Sequence, residues 1–227
     1  MRKLLRKLLS RFYRFYALRI IAKDSEFRYG GILVTVPKGI FHPGLFFSTS
    51  FLIAELQRIS LHGKIFLDLG CGSGLIAIWA SKNGANATAI DINPKAVETT
   101  KANAQQNHEN IEVVQSDLFS ALTNRKFDVV AINPPYYRQR HKNDAELAWF
   151  AGENLEYFEK LFTQLREHTL AHSIVLMVVS EDVQWNEIVA IAHRHQISFS
   201  LLREKTIWLE KNYLYKIVTT ESQNSEN

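Results

Sequence analysis

The stretch Phe66-Leu67-Asp68-Leu69-Gly70-Cys71-Gly72-Ser73-Gly74 decides the fold. The run Ile65–Asp68 reads as a buried strand, and Gly74–Lys82 reads as the helix that follows the glycines. A strand passing through glycines directly into a helix is the opening unit of a parallel α/β sheet. Ligands of such sheets bind beyond the carboxyl ends of the strands. Glycine lets the chain turn tightly and lets a ligand approach the backbone. Gly70, Gly72 and Gly74 form G-x-G-x-G. A dinucleotide fingerprint would place its third glycine where Leu75 stands, and a phosphate loop would end in Gly-Lys-Ser/Thr. The loop therefore fits a closely held ligand but neither pyrophosphate pattern. Asp68 at the strand end would repel a phosphate and suit a cationic amine.

Outward from this unit the pattern repeats. Strands are expected at Ala87–Asp91, Ile111–Gln115, Val129–Ile132, Ile174–Val179, Ile197–Arg203 and Lys211–Val218. Helices are expected at Pro94–Asn107, Leu155–His168 and Val183–His195. Strand–helix alternation predicts a doubly wound, mostly parallel sheet covered on both faces. The last two strands have no helix between them and must pair antiparallel through a turn near Ile207–Glu210. Upstream, Gly30-Gly31 separates two β-prone runs within Phe27–Pro37, the pattern of a hairpin. Phe41–Ser50 reads as an aromatic loop broken by Pro43 and Gly44. Thr49 or Ser50 is expected to cap a helix over Phe51–Ser60.

The 227 residues hold 27 basic and 23 acidic side chains, a net charge of +4. Eight of the basic residues and no acidic ones lie in residues 1–23, leaving 19 against 23 in the rest. The basic character thus belongs to an arm. Leu4, Leu5, Leu8, Leu9, Phe12, Tyr13, Phe15 and Tyr16 recur at helical spacing there, opposite Arg2, Lys3, Arg6, Lys7, Arg11 and Arg14. Residues 1–24 are expected to form an amphipathic helix that either packs on the domain or touches an anionic surface, membrane or RNA. Residues 25–218 form the domain, and 219–227 a loose polar tail. No apolar run is long enough to span a membrane. A single cysteine excludes an internal disulfide and fits a reducing, cytoplasmic setting. No metal site is expected: His193 and His195, two apart on a helix, point away from each other. Cys71 is expected to be a small packing residue.

Two further acids follow the next strands. Asp91 closes its strand and can accept hydrogen bonds from ribose hydroxyls. Asp117, in Gln115-Ser116-Asp117-Leu118-Phe119, is placed to accept from an exocyclic amine such as adenine N6, with Leu118 against the ring. Asn133-Pro134-Pro135-Tyr136 follows the fourth strand. Its prolines lack donors and stiffen the chain. The Asn133 side chain and the Pro134 carbonyl can then take both hydrogens of an NH2 group, and Tyr136 offers a flat face to a planar substrate.

These residues resemble the class I S-adenosylmethionine-dependent methyltransferases over roughly Phe41–Val218. The resemblance implies a Rossmann-like, seven-stranded, mostly parallel sheet with an antiparallel last strand. It implies S-adenosyl-L-methionine as cofactor, held by Thr49, Asp68, Gly70, Gly72, Gly74, Asp91, Asp117, Leu118 and Asn133. The motif Asn133-Pro134-Pro135-Tyr136 is similar to that of the N-methylating, HemK-related branch. That implies substrate contacts from Asn133, Pro134, Pro135 and Tyr136, with Asn133, Pro134 and Tyr136 catalytic. Ala148–Asn154 followed by Leu155–Leu161 looks like the segment that follows the motif in short members of that branch.

Two acceptors fit such a site: a glutamine side chain in a protein, or an adenine or guanine amine in structured RNA or DNA. The acidic domain favours the first. The arm and the basic run Arg138, Arg140, His141 and Lys142 favour the second. Phe41-His42-Pro43-Gly44 departs from the corresponding segment of release-factor enzymes. A non-catalytic module that binds a partner through the arm is a third expectation.

Overall fold

The computed structural model describes residues 23–45, 47–135, 151–207 and 210–219. The arm up to residue 22, Tyr136, the basic run 138–142, Ala148–Phe150 and the tail from residue 220 lie outside the described residues.

The chain enters through a hairpin, β1 (Ser25–Tyr29) and β2 (Ile32–Val36). Both turn residues, Gly30 and Gly31, have positive φ, the geometry that matches the twist of a two-residue hairpin. Alternate residues Ile32, Val34 and Val36 are buried. Helix α1 spans Phe47–Leu56, one turn earlier than expected. Thr49 and Ser50 are therefore inside its first turn and are not its caps. The loop ends sooner because Pro43-Gly44 already turns the chain, with Leu45 N–H donating to the His42 carbonyl. The Ser50 hydroxyl bonds back to the Phe47 carbonyl, the usual habit of a serine inside a helix.

The main sheet follows: β3 (Ile65–Leu69), α2 (Leu75–Lys82), β4 (Asn86–Asp91), α3 (Pro94–Gln106), β5 (Glu112–Gln115) and β6 (Phe127–Ile132). After the undescribed segment come α4 (Glu156–Leu165), β7 (Thr169–Ser180), α5 (Trp185–Arg194), β8 (Ile197–Ile207) and β9 (Glu210–Thr219). The strand order is β5-β4-β3-β6-β7-β9-β8, with β3 to β7 parallel and β9 antiparallel to both neighbours. The expected mostly parallel seven-stranded sheet with an antiparallel last strand is what the chain forms. The helix expected over Leu155–His168 is shorter. Leu155 has a left-handed backbone at its start, and Arg166–His168 tightens into a 3₁₀ turn. His168 is held by the Arg125 carbonyl at 2.8 Å and stacks on Phe119, contacts the sequence could not announce.

Residues alternate between two cores. Phe66, Val129, Ala131, Leu176 and Val178 face the hairpin, α1, α2 and α3. Leu67, Leu69, Val130, Ile132, Val175 and Met177 face α4 and α5 through Phe158, Leu161, Phe162, Ile188 and Ile191. Each fully buried Phe, Leu, Ile, Val or Met among them contributes about 1.5–3 kcal/mol. The register then sets the site. Leu69 pairs with both Ile90 and Ile132, and Asp91 pairs with Gln115. Four strands thus end at one level, and the strand order reverses between β3 and β6, where sheets of this type bind ligands.

Candidate active site

A cavity of about 670 Å³ opens at these strand ends. Its floor is the glycine loop. Gly70 and Cys71 N–H groups both donate to the Ile90 carbonyl at 2.9 Å, which ties the loop to the neighbouring strand. Gly70 and Gly72 have positive φ and line the cavity. Gly74 also has positive φ but stands behind the wall, where an added Cβ would come within 2.7 Å of the Thr100 side chain. Its smallness serves the packing of α2 on α3.

Asp68 stands behind the wall in the same way. It is 2% exposed and is not part of the cavity lining. Its Oδ2 accepts the Ala77 N–H at 3.1 Å. Helix α2 starts at a glycine with no side chain to cap it, so the first-turn donors need an acceptor from elsewhere. Asp68 supplies it from beneath. Burial pushes its carboxyl up to about 7, the Ala77 N–H opposes this, and the charge of Asp91 adds to it.

Asp91 is a wall residue. One carboxylate oxygen accepts the Gly72 N–H at 3.0 Å and the other accepts the Asn93 N–H at 2.9 Å. Burial raises its pKa, and these backbone donors pull it back down. With the Ile92 N–H also donating to it, the carboxylate keeps one lone pair for a ligand hydroxyl. Asn93 also lines the cavity and caps α3 by accepting the Lys95 N–H. Asn-Pro at a helix start is the sequence signal that marks Asn93.

Asp117 and Leu118 lie at the end of β5, both in the lining. Leu118 takes a left-handed backbone, φ 51°, and its carbonyl accepts the Ser116 hydroxyl at 2.6 Å. Lys160 of α4 pairs with Asp117 Oδ2 at 2.5 Å. Nothing local in the sequence singles out Lys160.

Asn133, Pro134 and Pro135 leave β6 into the same cavity, which Ala151, Gly152, Glu153, Glu156 and Tyr157 also line. Thr49 of α1 lines it too, as do Gly39, Ile40, Phe41 and Pro43 of the loop after β2. That loop is pinned at its base: Lys38 N–H donates to Asp24, and Lys95 Nζ donates to the Lys38 carbonyl. His42 stays out of the lining and accepts the Gly44 N–H through Nδ1. Cys71 packs as expected, buried, with Sγ 3.3 Å from Thr100 Oγ1, and it also touches the cavity. Burial, with the charges of Asp91 and Asp68, pushes its thiol well above the ordinary value. The fold thus brings Thr49, Gly70, Gly72, Asp91, Asp117, Leu118, Asn133, Pro134 and Pro135 together, and sets Asp68 and Gly74 behind them.

Comparison with known proteins identifies the family and the fold. The family described as methyltransferase small domain matches over residues 32–182. A release factor glutamine methyltransferase of Flavobacterium psychrophilum is 31% identical over 164 residues, covering 66% of this chain and 57% of that protein. The structure of the E. cuniculi Mtq2–Trm112 complex, which methylates the eRF1 termination factor, superposes with a TM-score of 0.62 at 21% identity. It covers 80% of this chain and 99% of that one. The T. thermophilus 16S rRNA N2 G1207 methyltransferase, solved with AdoMet and guanosine, superposes with a TM-score of 0.60 at 16% identity. It covers 86% and 50% of the two chains. The matches to curated relatives span 34 to 57% of those proteins' own length. Among the described residues no helix is long and apolar enough to cross a membrane.

Proposed function

This chain belongs to the methyltransferase small domain family, and on that premise we propose that it moves the methyl group of S-adenosylmethionine to a planar amide nitrogen, a glutamine side chain in a protein. The observation that carries this reading is the position of Asn133-Pro134-Pro135, at the end of β6 in the same cavity as the glycine loop.

The residues present fit the cofactor. The cavity volume lies within the range of about 300–1,000 Å³ typical of small-molecule sites. Gly70 and Gly72 leave backbone bare on its floor. The carboxylate of Asp91 suits a ribose, and Asp117 with Leu118 suits an aminopurine. Thr49 and Phe41 close the side towards α1 and the β2 loop. When bound, the cofactor supplies an electrophilic methyl on a positively charged sulfur.

An amide nitrogen is a poor nucleophile because its lone pair is shared with the carbonyl. Asn133 Oδ1 and the Pro134 carbonyl accept its two N–H groups and hold the nitrogen in one orientation. The two prolines contribute no competing N–H and keep these acceptors rigid. Orientation of this kind can lower a barrier by about 7–11 kcal/mol in ideal cases. Fixed acceptors also favour the positive charge that grows on the nitrogen as it is alkylated. The flat contact that the sequence motif assigns to Tyr136 lies outside the described residues.

Asn133→Ala should lower turnover about 10²–10³-fold, the typical loss for one preorganised group, while S-adenosylhomocysteine still binds. Single-turnover transfer and calorimetry on the same preparation check both halves. Retained activity would refute the role given to Asn133. A base amine of structured RNA is the second reading, favoured by the basic composition of residues 1–23 and of the run Arg138–Lys142.

A further inference from the structure

Residues 116–126, between β5 and β6, form no helix, and α4 braces this stretch instead. Two α4 residues one turn apart reach it: Lys160 Nζ pairs with Asp117 Oδ2 at 2.5 Å, and Gln164 Oε1 accepts the Phe119 N–H at 3.2 Å. Between these two grips lies Leu118, whose left-handed backbone is held by Ser116. The Ser116 hydroxyl donates to the Leu118 carbonyl and accepts the Ala121 N–H. The Asp117 side chain is 50% exposed and that of Lys160 39%. A pair so open to water adds little to folding. Both members nevertheless line the cavity.

The geometry points to Lys160 as a positioning residue that sets the purine selectivity of the cavity, an inference that rests on the proposed function. A half-exposed aspartate alone can turn to many directions. Lys160 takes one oxygen and leaves Oδ1 as the acceptor for a ligand. A carboxylate only accepts, so a fixed one takes a 6-amino purine and opposes a 6-oxo purine, whose oxygen would face it unpaired. Sites built around a specific hydrogen bond discriminate far more strongly than apolar ones. Without Lys160 the carboxylate is free to swing into water, and the choice between the two bases weakens.

The test is calorimetric titration of the full chain with S-adenosylhomocysteine and with its hypoxanthine counterpart. Wild type should prefer the adenine compound by about tenfold or more. Lys160→Met should lose about tenfold in adenine affinity and most of the preference, with an unchanged melting temperature for the unliganded protein. Lys160→Arg should restore both. If Lys160→Met keeps wild-type affinity and preference, or if arginine recovers nothing, the inference is overturned and the proposed function stands. If wild type binds neither compound, the proposed function falls, and this inference with it.

Discussion

The carboxylate of Asp68, inside the sheet, accepts the backbone N–H of Ala77 in the first turn of α2 at 3.1 Å. An acid held so deep, 2% exposed, ties the glycine loop to both the strand before it and the helix after it. Its carboxyl is raised by burial from an ordinary 3.8 to about 7. The folded chain therefore holds a proton between those values that the unfolded chain has released. Stability contributed here is greatest at low pH, falls as pH climbs through this window and is flat above it. Asp68→Asn keeps an acceptor for Ala77 and removes the titration. It should match wild type near pH 4 and exceed it by on the order of 2–4 kcal/mol at pH 8. Urea unfolding at the two pH values checks this, and parallel pH profiles would contradict it.

Asn103 of α3 is 1% exposed and joins three parts of the molecule. Its side chain accepts the Thr35 N–H and donates to the carbonyls of Thr35 and Ser73. Asn107, one turn on, makes the same paired contacts with Leu33. The two asparagines act as a substitute strand along β2 and anchor the glycine loop to it. Asn103→Leu, similar in volume, leaves those groups buried without partners and should cost about 2–4 kcal/mol. It should also weaken S-adenosylhomocysteine binding, because Ser73 loses its tether. Denaturation and calorimetry together check this, and a stability loss with unchanged affinity would show that the tether does not shape the cavity.

Cys71 is the only cysteine, so thiol chemistry reports on a single place. Its thiol is buried and pushed well above the ordinary value, which keeps it in the unreactive protonated form. Iodoacetamide at pH 8 should label it about tenfold or more slowly than a free thiol. Because Cys71 lines the cavity, S-adenosylhomocysteine should slow labelling further. Labelling at the rate of an exposed thiol would contradict the packing described here.

Much of this was legible before the fold was known, and the reasons are local. The run from Phe66 to Gly74 carries its own strand, turn and helix start. Apolar periodicity marks α5 and the strand cores without outside help. Asp91, at the end of β4, and Asn133, just past β6, line the cavity because topology fixes the ligand side of a parallel sheet. What was not legible is tertiary. The bond from Ala77 to Asp68 follows from α2 starting without a capping side chain. The start of α1 moves because the turn at Pro43-Gly44 closes early. Lys160 and Gln164 act on a loop more than 40 residues away, and Asn103 bonds a strand 68 residues away. No periodicity announces such contacts.

The most direct test of the whole account is methyl transfer itself. The protein is incubated with methyl-labelled S-adenosylmethionine and cell extract, and the macromolecular label is divided by nuclease and by protease. The label should resist nuclease, be released by protease and be recovered on digestion as methylglutamine. Label that nuclease removes, or no transfer by a preparation that binds S-adenosylhomocysteine, would contradict it.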